Sequence, residues 1–211
     1  MPDDAFAPAT LNGFALDDLA PFKATHGFLP GASQQVRYFH AGRDDIHGLV
    51  KFLLSRTQHS LALSMYGYDD DDLNDVVLGL MQNPAIVVTI TLDKSQAGGA
   101  HERKLLDLDR QKLAAEFNTH FAIGQSEFGH QILHTKGFVI DGILGCEGSV
   151  NWSSAGEGTF VSNREVAGGS GFKAQANTLS VFTCPAAIGE FAAVLAHQHQ
   201  VAVQQMAKPH P

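Results

Sequence analysis

The stretch HTKGFVIDGILGCEGSVN, running from His134 to Asn151, decides how this chain is read. Apolar runs lie on either side of Asp141-Gly142, a pair that accepts the positive backbone angles of a tight hairpin. The sequence therefore predicts two strands, Gln131 to Ile140 and Ile143 to Cys146. Residues two apart on a strand share a face, which sets His134 beside Lys136 and Ser149 beside Asn151. An imidazole and an ammonium side by side make chemical sense when an anion lies between or above them. Ser149 and Asn151 add hydroxyl and amide donors, and Gly148 permits close backbone approach. Donors from two neighbouring strands outline a pocket for a tetrahedral oxyanion, phosphate first among them. Asp141 stands at odd spacing from Lys136, so it should serve another face or hold the turn.

Outward from this stretch, strands and helices alternate. Val36 to Phe39, Ser60 to Tyr66, Ala85 to Leu92, Thr119 to Ile123 and Leu179 to Phe182 read as strands. Ile46 to Ser55, Asp71 to Met81, Glu102 to Phe117 and Pro185 to Met206 have helical apolar spacing. This order predicts an α/β fold with a mixed, largely parallel sheet flanked by helices on both faces. Residues 1–33, with four prolines, read as an irregular N-terminal arm, and residues 34–208 as one domain.

The chain has 211 residues and a formal net charge of −8, with 44% hydrophobic and 17% charged residues. That composition belongs to a globular protein able to bury its own core. The acidic balance argues against coating nucleic acid non-specifically, a mode that depends on Lys and Arg. No apolar run reaches the roughly 20 residues of a membrane helix, and the first 13 residues lack a basic segment followed by an apolar one. The expectation is a soluble protein without a leader in this stretch, cytoplasmic, or secreted if a leader was removed. Cys146 and Cys184 are too few for a disulfide framework or a thiolate zinc site; two buried thiols are favoured over a pair.

The segment from His134 resembles the HxK(x)4D(x)6GSxN signature of the phospholipase D superfamily, matched by His134, Lys136, Asp141, Gly148, Ser149 and Asn151. Chance agreement at six specified positions is on the order of 10⁻⁶ over a chain of this length. The pattern of elements from about Gln35 to Gln200, including Asp93-Lys94-Ser95-Gln96 after a strand, is similar to that of the small nucleases of this superfamily. The resemblance implies cleavage of phosphodiesters with no metal and no cofactor. One histidine attacks phosphorus and a second, from another motif copy, protonates the leaving oxygen. This chain has one copy, since no second HxK occurs in it. The resemblance thus implies a homodimer sharing one site, with His134, Lys136, Asp141 and Glu165 catalytic and Lys136, Ser149, Asn151 and Asn177 on the phosphate. The histidine would be oriented by Glu165, in Asn163-Arg164-Glu165, or by Asn177 if the alignment runs back from Pro185; Glu165 is preferred, with Gly168 to Gly171 an insertion. The implied activity is that of a nucleic-acid endonuclease. Phospholipid or a small phosphodiester is the alternative substrate, and a silent nucleic-acid-binding module is the non-enzymatic one.

Other features read as structural. The acidic run Asp69 to Asp72 suits a solvated helix start better than a cation loop. His197 and His199 are about 200° apart on a helix and read as surface residues. Trp152 and Phe160 are expected in the core rather than on a base. Arg103, Lys104, Arg110 and Lys112 would form either a basic strip or a solvated face.

Overall fold

The computed structural model describes residues 15–96, 99, 103, 104, 107, 119–125, 131–158 and 175–207. Helix α1 (Ile46–Leu54) begins where Asp45 accepts the Gly48 amide at 2.9 Å. Its apolar residues Ile46, Leu49, Val50, Leu53 and Leu54 recur at helical spacing and are buried. Helix α2 (Asp71–Gln82) is capped by Asp70, which accepts the Leu73 amide at 2.7 Å, with Asp71 and Asp72 on its positive end. A four-residue helix, α3 (Ser154–Glu157), is capped by Ser153. The long α4 (Pro185–Met206) opens on proline and buries Ile188, Phe191, Leu195 and Ala202.

Among the described residues, seven strands, β1 (Val36–His40), β2 (Ser60–Met65), β3 (Val87–Asp93), β4 (Thr119–Gly124), β5 (Lys136–Ile140), β6 (Leu144–Gly148) and β7 (Thr178–Phe182), form one sheet in the order β1-β7-β6-β5-β2-β3-β4. The sheet is mixed, as expected, but not largely parallel. Only β2–β3 and β3–β4 run parallel, and the other four pairings are antiparallel. The reason is local: the β5–β6 hairpin forces reversal, and β7 and β1 follow it antiparallel. Asp141 (φ 52°) and Gly142 (φ 67°) are the two central residues of that turn, closed by the Ile143 amide on the Ile140 carbonyl at 3.0 Å.

Helices cover both faces. Helices α1 and α2 pack with Leu61, Leu63, Phe138 and Ile140 on one side. Helix α4 packs with Ala62, Val139 and Phe182 on the other.

Two expectations are corrected, and the lead-in to β1 gains detail. The strand expected from Gln131 begins only at Lys136, because the amides before it bond elsewhere, Leu133 to the Asp93 carboxylate at 2.6 Å. Within the expected irregular lead-in, residues 15–33 pack on the domain. A 3-10 helix (Leu16–Phe22) buries Leu16 and Leu19 in the core, and Lys23 pairs with buried Asp44 at 2.7 Å. His199 is half-buried, its Nδ1 3.0 Å from the Thr91 hydroxyl.

Cys146 is buried and Cys184 partly so, both as free thiols. The helix expected from Glu102 lies outside the described residues except for 103, 104 and 107, as do Phe160, Arg110 and Lys112. No helix of the described residues is long and apolar enough to cross a membrane.

Candidate active site

Strand directions gather the site. The parallel strands β2 and β3 end at the edge where β5 begins, where β6 ends and where β7 begins, as the pairs Met65↔Lys136, Gly137↔Glu147 and Gly148↔Leu179 require. That edge lies outside the carboxyl ends of the parallel strands, where open α/β sheets bind ligands. His134, Lys136, Ser149, Asn151 and Asn177 all belong to it.

His134 and Lys136 are brought together around Tyr66, which follows β2. The His134 ring lies edge-on to the Tyr66 ring at 4.6 Å between centroids, and the Lys136 Nζ sits 5.0 Å from the same centroid. Lys136 is buried and donates to the His134 carbonyl at 2.7 Å. Burial pushes the Lys136 ammonium down to about 8, with the Asp93 carboxylate partly offsetting it. His134 is open to solvent on one side; the protein packed against its other side, and then the charge of Lys136, hold it below its ordinary value. The pair is thus biased toward a neutral imidazole, the form able to act as a nucleophile.

Two positioning residues were not singled out from sequence. Tyr66 is the platform just described, and Gln96 donates to its hydroxyl at 3.2 Å. Asp93, fully buried at the end of β3, accepts the amides of Leu133 (2.6 Å) and Ser95 (2.8 Å), fixing the segment that carries His134. An acidic residue at the carboxyl end of an otherwise apolar strand was the available signal.

Asp141 is not at this edge. Five residues beyond Lys136 on β5, it lies about 17 Å away at strand rise. There it accepts the amides of Gln58 (3.1 Å), His59 (2.8 Å) and Ser60 (2.7 Å). These contacts hold the hairpin against the start of β2, in keeping with the turn-holding reading drawn from the spacing of Asp141.

Ser149 and Asn177 face each other. The Ser149 hydroxyl donates to Asn177 Oδ1 at 3.0 Å and accepts the Thr178 amide at 3.1 Å. Asn177 Nδ2 donates to the Gly156 carbonyl at 2.8 Å and to Gln175 Oε1 at 3.1 Å. The polar atoms of Asn177 are therefore engaged within its own loops. Glu165 lies outside the described residues.

The glycines of the edge serve backbone proximity. A Cβ on Gly148 would stand 2.1 Å from the Thr178 carbonyl, and one on Gly67 2.9 Å from Asn151 Cγ. Asn151 Oδ1 is buried without a hydrogen-bond partner. Trp152 is a core residue, 5.2 Å from the Tyr68 ring and 6.3 Å from Phe138. Lys104 reaches the Asp71 carboxylate at 3.4 Å.

Beside His134 and Lys136 opens a cleft of about 690 Å³, bounded by Glu147, Gly148 and α4 residues including Val194 and His197. Its rim carries exposed apolar side chains, Ile132 and Val194.

Three solved structures share this architecture. Nuc of Salmonella typhimurium, a phospholipase D family member, is 15% identical, with a TM-score of 0.56 over 79% of this chain and 94% of its own. NucT of Helicobacter pylori is 14% identical, with a TM-score of 0.53 over 79% and 98%. Phosphatidylserine synthase of Haemophilus influenzae Rd KW20 is 12% identical, with a TM-score of 0.57 over 83% of this chain but 42% of its own. No family model and no curated protein sequence matches the chain. The fold is the one these three structures share, an α/β fold built around a mixed sheet with seven strands among the described residues.

Proposed function

We propose that this chain is a metal-independent phosphodiesterase acting on nucleic acid, an endonuclease whose active site is completed by a second copy of the chain. The observation that carries the reading is the shared placement of His134 and Lys136 on Tyr66, at the mouth of a cleft and on the edge that also holds Ser149 and Asn151. A neutral His134 attacks phosphorus, and the buried cation of Lys136 and the Asn151 amide stabilise the charge on the phosphoryl oxygens. The P–O bond to the leaving strand breaks as the P–N bond forms, giving a phosphohistidine. His134 of the partner subunit protonates the leaving oxygen and then deprotonates the water that releases the phosphate. One imidazole cannot serve both ends of an in-line displacement, so the single motif calls for a two-fold pair. Exposed Ile132 and Val194 beside the cleft offer apolar surface for that pairing.

Cleavage of DNA or RNA by the purified protein in EDTA tests the reading. Activity lost in His134→Ala, with a phosphoryl adduct trapped on His134 in the parent, is the expected result. No cleavage of any nucleic acid, alongside hydrolysis of phospholipid, would transfer the reading to a lipid substrate. Mixing His134→Ala with Lys136→Ala subunits should give activity that departs from the average of the two homodimers.

A further inference from the structure

A second cluster gathers where α1 and α2 begin and α3 ends. His47 on α1, Asp70 at the cap of α2 and Glu157 at the end of α3 converge. His47 Nδ1 is 2.8 Å from Glu157 Oε2 and 3.3 Å from Asp70 Oδ2. One ligand atom from each of the three falls within 4.8 Å of the others. The Glu157 side chain is 0% exposed, and its other oxygen, Oε1, has no hydrogen-bond partner. A carboxylate withdrawn from water with an oxygen unmatched is costly unless a cation meets it.

The far side of the imidazole adds an independent observation. His47 Nε2 is 3.5 Å from Asp72 Oδ2, and Lys51 Nζ holds that carboxylate at 3.0 Å. Histidine ligands are commonly oriented this way, the distal N–H directed at a carboxylate so that the other nitrogen presents its lone pair.

We propose that His47, Asp70 and Glu157 bind one divalent cation of the zinc type through His47 Nδ1 and one oxygen from each carboxylate. The two carboxylates balance the dipositive charge, and one nitrogen with two oxygens leaves a fourth tetrahedral position for water. Calcium and magnesium, which take oxygen ligands throughout, fit this donor set less well. The ion would tie α1 and α2 to α3. Gly156, next to Glu157, accepts the Asn177 side chain, so the ion would also brace the start of β7. Its role is structural, and it takes no part in the proposed cleavage. The competing occupant is a proton, with an imidazolium held between the two carboxylates.

Untagged protein stripped with chelator and dialysed is titrated with zinc chloride by calorimetry and melted with and without zinc. One ion per chain is expected, and Tm rises by about 5–10 °C at a hundredfold excess over Kd. Glu157→Gln and Asp70→Asn each lose at least tenfold in zinc affinity; asparagine remains a good helix cap, so the second variant keeps α2 intact. Asp72→Asn loses roughly tenfold, and exposed His59→Ala loses nothing. Absence of stoichiometric uptake, or uptake unchanged in both Glu157→Gln and Asp70→Asn, overturns the site and leaves the proton as occupant. Activity in EDTA is read separately, so failure here and failure of the phosphodiesterase reading are distinct.

Discussion

The Lys136 ammonium donates to the backbone carbonyl of His134 at 2.7 Å, and both side chains lie against the Tyr66 ring. Each should sense the other's charge. In the free protein, His134 should titrate below 6.5, and Lys136→Ala should move that titration upward, because removing a neighbouring cation favours the imidazolium. NMR of the His134 ring protons reads both values.

An ammonium attracts an anion only while protonated, and burial brings the Lys136 pKa down to about 8. Oligonucleotide binding should therefore weaken as pH rises through that value. In Lys136→Arg the dependence near 8 should vanish, because a guanidinium stays charged. Fluorescence anisotropy from pH 6 to 9.5 at fixed ionic strength checks this.

Asp141 should prove structural. Asp141→Ala removes the acceptor of three backbone amides and should cost about 1–3 kcal/mol, while kcat/KM of the folded fraction stays within about twofold. Urea unfolding and an activity assay on the same preparation separate the effects. A catalytic acid or base would instead lose about 100-fold or more.

Asn177 and Glu165 should also separate. Asn177 spends its side chain on Ser149, Gly156 and Gln175, so Asn177→Ala should lower Tm with little loss of turnover. Glu165→Ala should lower turnover roughly 100-fold, as expected for loss of the residue that orients an imidazole. The opposite pattern would make Asn177 the orienting residue.

Asp44 should govern acid stability at the N-terminal end. Burial opposes its ionisation, but hydrogen bonds from Arg43 and Lys23 and from the amides of Ala24 and His40 outweigh that and hold it well below the usual carboxylate range. A carboxyl lowered on folding stabilises the native state above its unfolded value near 4, and the contribution fades as pH falls below that. The stability gap between the parent and Asp44→Asn should therefore shrink from pH 6 to pH 3, as measured by urea midpoints.

The sequence carried the elements better than their arrangement. The apolar spacing of α1 and α4 and the β-branched run before Asp93 located those segments within a few residues, because each buries a face whose period is local. The Asp141-Gly142 turn was legible for the same reason. The antiparallel majority of pairings was not, since strand neighbours depend on contacts far apart in the chain. His134 and Lys136 could be placed side by side from their spacing, yet Tyr66, against which both lie, follows another strand. The cluster of His47, Asp70 and Glu157 was hidden for that reason too: α1, α2 and α3 lie far apart in sequence, and Asp70 alone looked like an ordinary helix cap.

The pairing of β1 with β7, Val36 against Phe182, has a kinetic consequence. The first strand of the sheet finds its partner nearly 150 residues later, so closing it carries a large loop entropy and depends on non-local contact. A ribosome-bound chain halted before residue 178 should hold β1 unpaired and vulnerable to protease. The edge that carries His134 and Lys136, closed by Asn177 against Ser149, would then be among the last parts of the molecule to form during synthesis.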